Sequence, residues 1–376
     1  MIEALFWASA LLVVFAYFGY PISLSVVRLV RKKSIAKSPT LLDVTVIVTA
    51  FNEETRIGKK LENTLELDYP SEKLQILVAS DGSTDRSNEI VAAYYGRGIE
   101  LLALEERRGK ENAQKEAIKK ARGQILLFTD VATFMGPDAL KQIVFNFSDP
   151  SVGCVSSEDR LIGKDGKPTG EGFYVRYEMW LRRLESRVGS LVGLSGSFFA
   201  ARREICRDFS AELQSDFGTV LQSVRMGLRG VLDREAIGYY EDIADERREF
   251  DRKIRTVLRG LTVFFRNVEF LNLFQYGLFS YQFLCHKLLR WLVPFFMGVA
   301  FLSSLILSFG SLFFMALFLA QVGFYGLALW GWSGSEASSV LLKIPTYFVR
   351  VNASILVAWW RYLQGQRIMM WTPSER

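Results

Sequence analysis

Apolar positions fall into two kinds of run along this chain. Between residues 43 and 130 they come in short blocks: "VTVIVTA" (44–50), "LQILVAS" (74–80), "IELLAL" (99–104) and "QILLFTD" (124–130). Short apolar blocks rich in β-branched residues and closed by polar turns predict strands buried on both faces. The intervening stretches carry helical spacing, with Ile57, Leu61 and Leu65 on one face at intervals of four. "TDRSNEIVAAYY" opens with Thr84 or Asp85 placed to cap a helix, and "GKENAQKEAIKKARG" closes on Gly123 as a helix end. Strand and helix alternate four times, which predicts an α/β open sheet, mostly parallel and Rossmann-like, with right-handed crossovers.

Toward both ends the apolar runs lengthen. Ala4 to Val27 holds no charged residue, enough to cross a hydrocarbon core of about 30 Å, so 1–30 is predicted as an N-terminal transmembrane helix. Arg28, Arg31, Lys32, Lys33 and Lys37 follow. By the positive-inside rule that end is cytoplasmic and the N-terminus lies outside. Leu288–Gly310 and Ser311–Trp332 read as a transmembrane hairpin (288–332), with His286, Lys287 and Arg290 at its cytoplasmic entrance. In the last segment, 333–376, the apolar stretch 340–360 is interrupted by Lys343, Pro345, Arg350 and Asn352, costly groups at mid-bilayer. If it spans, Arg361, Arg367 and Arg376 lie outside. If it is re-entrant they stay inside, which the charge rule favours. Residues 253–287 mix Phe, Leu and Tyr with Arg, as interfacial amphipathic helices do. The soluble domain is then 31–252.

Composition narrows the classes. The 376 residues are 50% hydrophobic with a formal charge of +6. The basic excess lies beside apolar spans or within mixed-charge helices, so it indicates membrane lipids and no nucleic acid. Cys154, Cys206 and Cys285 are in no metal spacing and read as reduced packing residues. A lone histidine, His286, excludes a His-rich metal site. No G-x-G-x-x-G follows the first strand and no P-loop motif is present, which argues against nicotinamide and P-loop chemistry.

Candidate chemistry gathers at the strand ends: Asn52 and Glu53 after the first, Asp81 after the second, Asp130 after the fourth. Ligands of open α/β sheets bind at the carboxyl ends of strands. Carboxylates there suit base N–H and ribose hydroxyl donors, or a divalent cation holding phosphates, although acids at strand ends also cap turns. The 171–191 stretch is amphipathic, with Tyr174, Tyr177, Trp180, Leu181 and Leu184 on one stripe. It either lines an acceptor entrance or packs on the sheet.

"VIVTAFNEE", "ILVASDGSTD", "ERRGK" and "ILLFTD" occur in an order and spacing that resemble the membrane-bound family 2 glycosyltransferases. That family has a GT-A fold and includes cellulose and hyaluronan synthases and polyisoprenyl-phosphate or ceramide glycosyltransferases. The resemblance covers about 43–290 and the arrangement of spans. It implies a UDP-sugar donor held by Asn52, Glu53, Asp81, Lys110, Asp130 and Arg255. Asp81 would read the base, Glu53 lie near the ribose and Lys110 near the nucleotide. Gly196 and Ser197, in "GLSGSFFAARRE", and Trp180 would face the acceptor, and Asp216 would be the catalytic base. Asp130 matches the first acid of the D-x-D metal motif, which implies a divalent metal, Mg or Mn. The second acid is replaced by Ala132. "DRKIRTVLRG" stands where polymerising members carry Q-x-x-R-W; Arg255 matches the Arg, while Arg252 replaces the Gln and Thr256 the Trp.

The implied activity is inverting transfer to an envelope polysaccharide or related glycan at the cytoplasmic face of the inner or plasma membrane. A lipid or polyisoprenyl-phosphate acceptor is the alternative. A non-catalytic nucleotide-sugar-binding membrane scaffold is a different class, opposed by retention of Asp81, Asp130, Asp216 and Arg255 together. The few spans make a thin wall for a polymer channel, so a homo-oligomer is a possible further partner.

Overall fold

The computed structural model describes residues 1–162, 173–241, 246–333 and 340–367. It divides into two compact units, Leu24–Ile243 on one side and Met1–Ser23 with Ala244–Arg367 on the other.

The first unit is built on a sheet in the order β3-β2-β1-β4-β7-β6-β8-β5. Its strands are β1 (Val44–Ala50), β2 (Leu74–Ser80), β3 (Ile99–Ala103), β4 (Ile125–Asp130), β5 (Thr133–Met135), β6 (Val152–Ile162), β7 (Phe198–Arg202) and β8 (Arg229–Glu241). The four apolar blocks of the sequence are the parallel half, β3-β2-β1-β4. Every residue of β1 is buried, which is why its pattern shows no alternation. Helix Ile57–Leu65 packs Ile57 and Leu61 into the core with Val46, Val48, Ile76, Val78 and Leu127.

Register sets the site. Ala50 pairs with Ser80 and Thr49 with Asp130, so β1, β2 and β4 end level. β7 then runs antiparallel to β4, with Thr129 opposite Phe198. The Asp130 N–H donates to the Ser197 carbonyl at 3.1 Å. The segment before β7 is thereby laid against the end of β4.

One local expectation is corrected and one alternative is decided. Helix Lys110–Lys120 stops before Gly123, its C-cap Ala121 being extended rather than left-handed. Gly123 answers a different need: a Cβ there would lie 2.4 Å from the Thr45 nitrogen, against the start of β1. At the shorter helix Ser87–Ala92, Asp85 rather than Thr84 serves the first turn, accepting the Ser87 N–H at 3.0 Å.

The second unit is helical. Among the described residues, four helices are long and apolar enough to cross a membrane: Ile2–Val30, Leu278–Ser308, Leu312–Trp332 and Leu341–Leu363. The second starts ahead of the apolar run, so His286, Lys287 and Arg290 sit inside the helix rather than before it. Helix Val340–Leu363 is unbroken and contains Pro345. Aromatic contacts join the set: Phe6 meets Phe314 edge-on at 5.4 Å, and Phe264 stacks on Phe283 at 4.4 Å. Helix Glu246–Arg266 is amphipathic, with Ile254, Leu258 and Leu261 buried and Arg252 exposed. Trp291 lies against Gly260, where a Cβ would stand 2.9 Å from its ring.

Candidate active site

Asp81 follows β2 directly, and its N–H donates to the Ala50 carbonyl at 2.9 Å. Its buried carboxylate accepts two backbone amides, Arg108 N–H at 2.9 Å and Gly109 N–H at 2.8 Å. The expected reader of the base thus anchors the loop that leads into helix Lys110–Lys120. Gly82 makes this possible. Its φ is +67°, and a Cβ would lie 2.6 Å from the Arg107 nitrogen, so only glycine lets the two loops touch.

Asn52 and Glu53 are also committed to the fold. Asn52 has φ +50°, its side-chain carbonyl accepts the Thr84 N–H at 2.9 Å, and it ties the end of β1 to that of β2. Glu53 is buried and holds Arg56 in a bidentate pair, 2.7 and 2.9 Å. Burial pushes its carboxyl above the usual range; Arg56 opposes this, and Asp130 and Asp85 add to it.

Five of the expected residues do converge. The buried Lys110 ammonium lies 2.5 Å from an Asp130 oxygen and donates to the Gly196 carbonyl at 2.8 Å. Across Gly196 stands the Asp216 carboxylate, about as far as ordinary van der Waals contact with a Cβ placed there, 3.7 Å. Asp216 lies in the first turn of helix Ser215–Arg225, where the dipole favours an acid. Its main-chain carbonyl accepts the Leu194 N–H and its Oδ2 accepts from the Gln214 amide at 3.2 Å. Ser197, bonded through its carbonyl to Asp130, completes this group.

Several neighbours were not singled out by sequence. Lys60 is fully buried and donates to Thr129 Oγ1 at 3.0 Å and to the Thr133 carbonyl at 2.5 Å, on either side of the Asp130–Ala132 turn. Burial pushes its ammonium down to about 7, with Asp130 pulling the other way. The signal was there: Lys60 and Thr64 share the buried face of Ile57 and Leu61. Arg107 lies over the Phe51 ring at 3.8 Å. Behind the Gly196 segment, Asp159 accepts from Ser195 Oγ at 2.7 Å and Ser157 Oγ at 3.1 Å. Burial pushes its carboxyl up and Arg182 opposes that.

Trp180 is exposed on helix Phe173–Val188, while Met179, Leu181 and Leu184 are buried. The helix therefore packs on the protein and leaves Trp180 outside; the Tyr174 side chain is outside the described residues. Arg255 and Arg252 belong to the helical unit, on helix Glu246–Arg266. Arg252 pairs with Glu249 at 2.6 Å. Thr256 bonds back to the Arg252 carbonyl at 2.9 Å.

The residues present do not complete a divalent-metal site. Asp130 stands alone at the motif, Ala132 offers a methyl group, and the described residues contain no group of three His, Cys, Asp or Glu side chains able to hold a metal ion. At the opposite end of β4 a cavity of about 700 Å³ is lined by Arg122, Arg202, Arg203 and Arg207. Arg202 there is spent on the carbonyls of Val152, Phe147 and Asp149.

Residues 45–209 match the family model described as Glycosyl transferase family 2. Two curated relatives are poly-β-1,6-N-acetyl-D-glucosamine synthases. That of Staphylococcus aureus (strain COL) is 28% identical over 173 residues, 45% of this chain and 41% of the relative. That of Staphylococcus epidermidis is 26% identical over 170 residues, 44% of this chain and 40% of the relative. The match thus spans less than half of each relative. Among solved structures, a mannosyltransferase from Pyrobaculum calidifontis, in complex with GDP-Man and Mn2+, superposes with a TM-score of 0.77 at 24% identity, covering 98% of this chain and 100% of that one. The fold is GT-A.

Proposed function

From the match of residues 45–209 to the family 2 glycosyltransferases, we propose that the chain is an inverting glycosyltransferase that moves a sugar from a UDP-sugar to an envelope polysaccharide at the cytoplasmic membrane face. The observation that carries this is the convergence of Lys110, Asp130, Gly196 and Asp216 at the carboxyl ends of the strands. Such a site offers a cation for a diphosphate and a carboxylate for a proton, on two sides of one backbone segment. That the relatives are poly-N-acetylglucosamine synthases supports UDP-N-acetylglucosamine as the first donor to try.

The reaction is a single displacement. Asp216 removes the proton from the acceptor hydroxyl. The oxygen forms a bond to the anomeric carbon on the face opposite the nucleotide. The bond from that carbon to the phosphate oxygen breaks, and its electron pair leaves on the diphosphate, next to Lys110. One carboxylate suits inversion, since retention by double displacement needs a second group as nucleophile. Asp81, Asn52 and Glu53 shape the donor pocket by fixing its loops, and any contact they make to the nucleotide is made through atoms left over from that task. Arg255 and Trp180 are proposed for the diphosphate and the acceptor, respectively.

A lipid or polyisoprenyl-phosphate acceptor is the second reading. It is favoured by the helix at 252–256, where Arg252 is paired to Glu249 and Thr256 offers no ring for stacking a sugar.

The test is UDP release by the detergent-purified chain with a panel of UDP-sugars and membrane extract, beside Asp216→Asn. General bases contribute about 10²–10⁴ in rate, so the variant should lose about that factor while UDP affinity stays within about threefold. Unchanged release would remove Asp216 from the chemistry.

A further inference from the structure

We infer that the Lys110 ammonium is the protein cation that meets the donor diphosphate and that a divalent cation is dispensable for donor binding. This rests on the donor-site reading above and concerns what balances the charge there.

The acids at the strand ends, with Asp85 and Asp216, already have partners of their own. Asp130 is ion-paired with Lys110 at 2.5 Å. Glu53 is clamped by Arg56. Asp81 accepts two loop amides, and Asp85 accepts the Glu54 and Ser87 N–H groups. Asp216 lies across Gly196 and holds Gln214. The Thr133 carbonyl next to the turn already accepts from Lys60. Hard cations need several oxygen ligands together, and here the motif's second ligand is the methyl of Ala132.

A dication at Asp130 would also sit beside a buried ammonium. Like charges in a site of low dielectric repel strongly, so binding one would require Lys110 to leave. A diphosphate has the opposite effect. It brings negative charge to Lys110, which exchanges one anionic partner for another without leaving the buried position between Asp130 and Gly196. Asp130 therefore stores the ammonium in the free enzyme.

The experiment is calorimetry of UDP and GDP binding to the full detergent-solubilised chain, in EDTA and in Mn2+. The wild type should bind with the same Kd in both, within about twofold. Lys110→Met should weaken binding about tenfold or more in both buffers, the loss expected of a charge-assisted contact, and Lys110→Arg should recover most of it. Ala132→Asp restores the missing ligand and should make UDP binding respond to Mn2+, by about tenfold. Melting curves confirm that each variant is folded. Binding by the wild type only in Mn2+ would overturn the inference and leave the nucleotide site standing. So would binding by Lys110→Met at the wild-type Kd. Absence of binding to either nucleotide in both buffers would overturn the donor site itself, and the inference with it.

Discussion

Lys60 shows how far a single side chain can be read from its surroundings. It is a fully buried amine whose donors are taken up by Thr129 Oγ1 and the Thr133 carbonyl. Its ammonium is pushed down to about 7, against an ordinary value of about 10.4 in an unfolded chain. Between those values the unfolded state binds the extra proton, so stability rises with pH. Below about pH 7 both states carry it and the burial penalty is felt in full. From pH 7 to 9 the gain from this one group is about 2 kcal/mol. Denaturation midpoints at pH 7, 8 and 9 should climb in the wild type and climb less in Lys60→Met. Equal slopes would show that Lys60 does not change charge across this range. At this scale the sequence displayed the acids at the strand ends but not their partners. Asp81 bonds to amides 27 and 28 positions away, and such a pairing depends on where loops meet, which no local pattern encodes.

Among elements, the strands of the parallel β3-β2-β1-β4 half were legible because a block of β-branched residues has few other uses, and all four fall within the blocks. Helix ends were less so, since glycine serves both helix stops and close approaches. Gly123 and Gly58 separate these uses. In Gly123→Ala the new methyl meets the Thr45 nitrogen and Val44 carbon at 2.4 and 2.6 Å. That is backbone on β1, which cannot swing aside, so the cost should be about 2 kcal/mol. Gly58 lies inside helix Ile57–Leu65, with nothing nearer than 3.9 Å to an added Cβ. Gly58→Ala should gain about 0.5–1 kcal/mol by restricting the unfolded chain. Melting of the two variants against the wild type reads both. A Gly123→Ala protein as stable as the wild type would mean that β1 and the entry to β4 do not pack this closely.

For the whole molecule, hydropathy located the apolar ends, but the reading of 340–360 turned on four interruptions whose surroundings it could not see. The helix Val340–Leu363 has 24 residues, about 36 Å at 1.5 Å per residue, against a hydrocarbon core of about 30 Å. Pro345 lies near its start, where it removes one helix bond. The Asn352 amide donates to the Phe348 carbonyl at 2.9 Å, and Thr346 donates to the Ala328 carbonyl of the neighbouring span at 3.3 Å. Arg350 reaches the Trp332 ring, 5.4 Å away, at the end of helix Leu312–Trp332. Its charge is thereby carried toward the membrane surface where that helix stops, as long basic side chains do. Pro345, Arg350 and the Asn352 amide are thus accommodated inside the helical unit, which supports a fourth span over the re-entrant arrangement that the charge of Arg361 and Arg367 favours. A fourth crossing puts residue 367 on the same face of the membrane as the N-terminus, and a re-entrant helix puts it on the other. The native cysteines are all buried, so a single cysteine at Gln366→Cys and another at the exposed Glu3→Cys can be labelled with a membrane-impermeant maleimide in intact cells and in inverted vesicles. Labelling of both from one side is expected. Labelling from opposite sides would return the segment to the re-entrant form and show that the arginines beyond it, not the length of the helix, decide the topology.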